Sequence, residues 1–124
     1  MARRIILTID GTEFPGALND SITAEAIAGM LPLDIPMGRW GDEYYGDIGR
    51  TFDLEPHATE VVSVGELAYW PPGSALCIFF GPTPASVGVE PRAASEVNRV
   101  GTLEGDFSVL ATMDSFVRVR VALA

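Results

Sequence analysis

The side chains best suited to chemistry cluster between residues 39 and 60. Over positions 39–47 the chain reads RWGDEYYGD. In an extended segment alternate residues share a face, so Glu43, Tyr45 and Asp47 project together. Carboxylates on one face are the residue types needed for general acid–base work, provided a cleft surrounds them. Glu43 is therefore the enzymatic candidate, although no catalytic set can be assigned. Trp40 and Tyr45, with Tyr69, Trp70 and Phe80 further on, supply the flat apolar surfaces that ligand pockets use. Arg39 adds a guanidinium beside them. We take Arg39, Trp40, Glu43, Tyr45, Tyr69, Trp70 and Phe80 as the candidates for a ligand-binding groove. The wider acidic set, Asp42, Glu43, Asp47, Asp53, Glu55 and Glu60, carries oxygen ligands for a hard cation. Its spacing matches no EF-hand loop, so it reads as a solvated acidic face, with no metal and no cofactor expected.

Other reactive residues stand in unhelpful places. Cys77, the one cysteine, sits inside an apolar run. A nucleophilic thiol needs a lowered pKa and access, so Cys77 reads as a small core residue. Ser63 or Ser74 with His57 lacks a nucleophile-elbow motif. One histidine and one cysteine do not make a zinc site. Thr83, Arg92 and Arg99 could hold an anion, but scattered arginines more commonly pair with surface acids.

The composition bounds the partners. The chain has 124 residues, 17 acids, 8 arginines and no lysine, for a net charge of −9. That balance argues against nucleic acid, which needs clustered cations, and against an anionic membrane surface. Missing lysine removes Schiff-base chemistry. A single cysteine forbids an internal disulfide and suits a reducing compartment. The apolar stretch after Arg3 and Arg4 is too short for a signal peptide or a membrane span. A cytoplasmic single domain over residues 1–124 is expected.

The elements that must position these residues are mostly strands. YWPPGSALCIFFGPTP, residues 69–84, is the most informative segment. Pro-Gly breakers bracket the apolar run 75–80, which predicts a strand buried on both faces. Residues 3–9 and 12–18 predict a hairpin about Asp10-Gly11, a type I′ signal. Asn19-Asp20-Ser21 opens a helix with an apolar stripe of Ile22, Ala26, Ile27, Met30 and Leu31, stopped by Pro32; it runs over about residues 20–31. Residues 35–48 predict a bent strand pair broken at Gly41 and Gly46. Short strands follow at 61–63 and 66–70, a long loop at 81–95, a strand at 97–103, and either helix or strand at 107–113. The last strand, 116–123, alternates Val117, Val119, Val121 and Leu123 against Arg118 and Arg120. Phe79 and Phe80 are expected to divide, one inward and one outward. The sum is a mostly antiparallel barrel with one helix.

Three longer words are similar to the bacterial and archaeal cyclophilin-like proteins: WGDEYYGDIG (40–49), VGELAYWPPGSALCIFFGPTP (64–84) and PRAASEVNRVGTLEGD (91–106). The resemblance covers most of the chain. It implies a mostly β fold, a closed eight-stranded antiparallel barrel with one main helix, related to the prolyl isomerase cyclophilin. It does not imply the isomerase set. Where cyclophilins read FHRVIPGFMIQGGD this chain offers MGRWGDEYYGDIG, keeping only Arg39. Leu76 and Cys77 stand where SQFFI has its phenylalanines, and no histidine follows the buried strand.

The expected function is a non-catalytic module binding a peptide or small molecule. The alternatives are a prolyl isomerase or other weak enzyme, or a subunit of an assembly like those of 5-oxoprolinase and allophanate hydrolase, where similar barrels occur. A monomer or homodimer is expected, with a protein partner left open.

Overall fold

A computed structural model describes residues 3–124. Nine strands and one helix follow in the order β1 (Arg3–Ile9), β2 (Thr12–Leu18), α1 (Ile22–Ala28), β3 (Leu33–Arg39), β4 (Glu43–Asp47), β5 (Thr59–Val61), β6 (Glu66–Trp70), β7 (Ala75–Phe79), β8 (Arg92–Leu103) and β9 (Phe116–Leu123). Short 3-10 segments occupy Pro71–Gly73 and Phe107–Thr112. Every pairing is antiparallel, in the order β2-β1-β9-β3-β4-β7-β6-β8-β5. β2 also pairs with β8 through Gly16–Leu18 and Gly101–Leu103, so eight strands run in a ring and β5 lies outside it on β8.

Local chemistry accounts for the corners. Asp10 and Gly11 both have positive φ (46° and 86°), the geometry a type I′ turn needs. Ser21 caps α1 by accepting from Ala24 N, and Glu55 reaches across from a distant loop to accept from Thr23 N as well. The helix turns Thr23, Ala24 and Ile27 inward, and Met30 and Leu31 just after it pack against the same core; of the predicted stripe, Ile22 instead faces out, 79% exposed. It is also shorter than 20–31, because Gly29 and Pro32 follow within one turn.

Alternation along the strands builds two cores. Ile5, Leu7, Phe14, Ile35, Tyr44, Leu67, Leu76, Ile78, Val119 and Val121 fill the ring interior. Ala24 and Ile27 of α1 close one end. The 3-10 segment at Phe107–Thr112 closes the other, with the Phe107 ring 6.0 Å from that of Phe14. On the outer side, Val62, Ala68, Ala75, Cys77, Phe79, Ala93 and Val97 form a second, smaller core packed by Trp70. β7 belongs to both and is buried along its whole length, as the bracketed apolar run predicts. Phe80 faces the ring and Phe79 the outer core.

The predicted boundaries shift in three further places. β8 begins at Arg92, so the expected loop 81–95 is shorter. The strand expected at 61–63 is β5 at Thr59–Val61, and residues 107–112 are a 3-10 segment. Gly41, at φ +62°, does turn the chain, but Gly46 does not break it. Gly46 lies inside β4 because β3 crosses close above it: a Cβ there would meet Pro36 O at 2.5 Å and Ile35 Cγ2 at 2.6 Å. Backbone cannot yield as a side chain can, so Gly46→Ala is expected to destabilise the protein by about 1–3 kcal/mol in chemical denaturation. Gly49→Ala tests strain alone, since its φ is +77° and nothing lies within 4 Å of an added Cβ. It should cost less.

Candidate functional site

The outward face of β4, β7 and β6 carries the candidate site. Glu43 stands opposite Phe79, Tyr45 opposite Cys77 and Asp47 opposite Ala75. Cys77 and Ala75 are flanked in turn by Ala68 and Trp70 of β6. Small residues in the middle of this patch leave a hollow, and large ones stand at its rim. The result is a cavity of about 250 Å³ lined by Trp40, Glu43, Tyr45, Trp70, Ala93 and Ala94.

Each wall is held in place. Trp40 stands on the tight turn between β3 and β4, closed by its own N–H to Glu43 O at 2.8 Å. That turn rests on the following loop: Asp42 N donates to Pro82 O, and Phe80 N to Asp42 O, both at 2.9 Å. Only glycine fits at 41, where a Cβ would lie 2.9 Å from Thr83 Cα. The Trp70 indole donates to Ser95 Oγ at 2.7 Å and packs against Gly73, whose Cβ would meet the ring at 2.9 Å. The loop over residues 81–90 is tied to itself. Thr83 Oγ1 donates to Arg92 O, Ser86 Oγ to Glu90 O, and the Glu90 carboxylate accepts from Val87 N and Gly88 N.

Glu43 gives the cavity its chemistry. It is 5% exposed and borders the outer core rather than water. Burial penalises its charged form and raises its pKa from 4.5 to about 7, against which the Cys77 thiol is a weak opposing hydrogen-bond donor. Burial and the neighbouring Glu43 carboxylate push the Cys77 thiol well above its usual value. Cys77 is accordingly no nucleophile at neutral pH. The arrangement can bind an apolar group against two indoles. It can also hold or exchange one proton near neutrality.

Of the seven groove candidates, the fold brings Trp40, Glu43, Tyr45 and Trp70 to one cavity. Tyr69 faces the other way, as strand alternation requires of a neighbour of Trp70. It is fully buried in the ring, and its hydroxyl donates to Arg50 O and accepts from Phe52 N. Phe80 is buried against Tyr44, with ring centroids 5.5 Å apart, and the Arg39 guanidinium lies 5.2 Å above it. Arg39 is occupied at all three nitrogens, by Gly41 O, Ala111 O and Asp42. Sequence reasoning missed Ala93, Ala94 and the Ser95 hydroxyl that fixes Trp70. The consecutive small residues of PRAAS at the head of a strand were the available signal.

The remaining chemistry is dispersed. His57 lies in a separate polar recess with Asn19, Ser21, Glu55, Asn98 and Arg99, while Ser74 bonds Thr51. The arginines considered for anion binding pair with acids instead, Arg92 with Glu60 and Glu90, and Arg99 with Glu66. Among the described residues no group of three His, Cys, Asp or Glu side chains could hold a metal ion. No described helix is long and apolar enough to cross a membrane.

A family model described as cyclophilin-like matches residues 3–122, and the chain belongs to that family. Among solved structures it is similar to a hypothetical protein of Archaeoglobus fulgidus determined in solution, 33% identical, with a TM-score of 0.81. The match covers 99% of this chain and 95% of that one. A comparison with curated proteins gives no match.

The buried acid makes stability depend on pH. Its folded pKa of about 7 lies above the ordinary 4.5. Its protonation therefore favours the folded state fully below pH 4.5, and that contribution is lost as pH rises through 7. Glu43→Gln, which cannot ionise, should be more stable than the parent above neutrality by roughly 2–3 kcal/mol. The gap should close toward pH 5. Urea midpoints measured across this range check it, and parallel curves would exclude a desolvated Glu43.

Proposed function

We propose that this protein is a ligand-binding module of the cytoplasm, built on a closed eight-stranded barrel of the cyclophilin type. Its site is the cavity on the outer face of β4, β7 and β6. The pairing of β2 with β8, which returns the strand order to its start, supports the closed barrel. The observation that carries the binding function is the cavity itself. A preformed, aromatic-walled hollow with one buried polar group at its edge is the usual form of a small-molecule site. At about 250 Å³ it falls just under the range for drug-sized ligands. A small metabolite or a single peptide side chain is the fitting size.

Catalysis by prolyl isomerisation has less support. The one arginine that the isomerase comparison leaves, Arg39, is spent on Asp42, Gly41 O and Ala111 O, outside the cavity lining. A second reading rests on Glu43 alone. A carboxyl titrating near 7 is suited to general acid–base work at neutral pH, which would make the module a weak enzyme acting on its ligand.

Both tryptophans of the chain line the cavity, so intrinsic fluorescence reports on it directly. A panel of small metabolites and short peptides should contain compounds that shift this emission and raise the melting temperature together. Trp70→Ala should abolish both responses, and Ser95→Ala should weaken them severalfold by freeing the indole. A ligand whose stabilisation survives Trp70→Ala and Trp40→Ala binds elsewhere and refutes this site. In a proline-peptide assay the protein should leave the uncatalysed rate unchanged.

A further inference from the structure

The kind of ligand follows from what the cavity lacks, given the reading above that it is a ligand site. Glu43 is the one charged side chain lining it, and none of the chain's eight arginines does so. No N–H donor of the described residues reaches the Glu43 carboxylate; the Cys77 thiol, which also lies 3.8 Å from Ala75 O, is its hydrogen-bonding neighbour. The Glu43 side chain has given up most of its water and no positive charge lines the cavity beside it, so a cation brought by the ligand would compensate its charged form. The indoles of Trp40 and Trp70 and the phenol ring of Tyr45 present electron-rich faces, which attract cations. An anion would meet Glu43 and a protein of net charge −9. Ala93 and Ala94 complete an apolar wall with room for a short alkyl chain.

We propose that the cavity takes a small organic ammonium ion, its nitrogen against the Glu43 carboxylate and its alkyl carbons against Trp40, Trp70, Ala93 and Ala94. The same chemistry is offered by a free alkylamine and by the side chain of a lysine on a peptide. Pairing needs the ionised carboxylate. The groups that share the cavity with Glu43 are Trp40, Tyr45, Trp70, Ala93 and Ala94, Phe79 stands opposite it on β7, and the Cys77 thiol is the one titratable group of the adjoining outer core. The charged pairs next along these strands, Arg39 with Asp42 and Glu66 with Arg99, are internally compensated. Binding of the cation should therefore release a proton from Glu43 and strengthen as pH rises through neutrality.

The test titrates the full chain with n-butylammonium, 1-butanol and butyrate, three probes of similar size and different charge. Tryptophan emission and the two indole N–H signals in NMR report binding. At about pH 8 butylammonium should bind at least about tenfold more tightly than butanol, with butyrate weakest. Its affinity should fall toward about tenfold per pH unit below neutrality, while that of butanol stays level. Glu43→Gln should keep butanol binding and lose the preference for the cation. Nα-acetyl-lysine methylamide binding as tightly as butylammonium identifies a peptide lysine as the source, and binding far more weakly identifies a free amine. Butanol matching or exceeding butylammonium in the parent would overturn the cation inference; if that butanol signal disappears in Trp70→Ala, the ligand site itself stands. No response to any of the three probes would also overturn the inference, leaving the site to the wider panel.

Discussion

The structure depends on one strand having no solvent face. β7 buries every residue from Ala75 to Phe79, giving Leu76 and Ile78 to the ring and Ala75, Cys77 and Phe79 to the outer core. Its backbone N–H and C=O groups can be satisfied there only by neighbouring strands on both edges, and β4 and β6 supply them. Two-sided burial requires something to cover the outer face. That cover is Val62, just after β5, with Ala93 and Val97 of β8 and the Trp70 ring. The candidate site is the part of this face where the cover stops and the cavity opens.

Glu43 follows from the same geometry. A residue opposite Phe79 on the outward face of β4 must enter the outer core or its margin. Nearly all other positions in that core are apolar, and an acid there loses hydration without gaining a counter-charge. Glu66, on the outward face of β6, is nearly as buried, yet Arg99 pairs with it at 2.8 Å and Ser63 N donates to it at 2.8 Å. Two buried glutamates on one face thus have opposite arrangements. One is compensated within the fold and the other faces a cavity. The contrast is why the proposed ligand site is centred on Glu43 and not on Glu66.

A second polar device fixes the irregular segment after β4. Asn98, fully buried, donates to Thr23 Oγ1 and Asp53 O and accepts from Glu55 N. The Glu55 carboxylate accepts from Thr23 N and Oγ1, and the Tyr69 hydroxyl holds Arg50 and Phe52. A stretch rich in acids, which reads as a solvated loop, is thereby locked to α1 and to β6. Each buried partner left unsatisfied in such a network costs on the order of 1–3 kcal/mol, so the segment acts as structure and not as a flexible tail.

Local signals determined much of this protein before any coordinates: the Asp10-Gly11 hairpin, the helix start at Asn19-Asp20-Ser21, the two-faced run at 75–80, the alternation of the final strand, and the split of Phe79 from Phe80. These are legible because turn chemistry and period-two burial act over a few residues. The candidate site was legible in part. Trp40, Glu43, Tyr45 and Trp70 could be named from residue type, whereas Tyr69, Phe80 and Arg39 also fitted by type and sit elsewhere. Which of two adjacent aromatics faces the cavity depends on register against β7, and register is set by partners distant in sequence. The same holds for Gly46, whose reason is Pro36 crossing above it, and for Ala93, Ala94 and Ser95, which reach the site only because β8 folds back beside β6. Residue types established what chemistry was available; only the tertiary pairing decided which groups share one space and which lose their water.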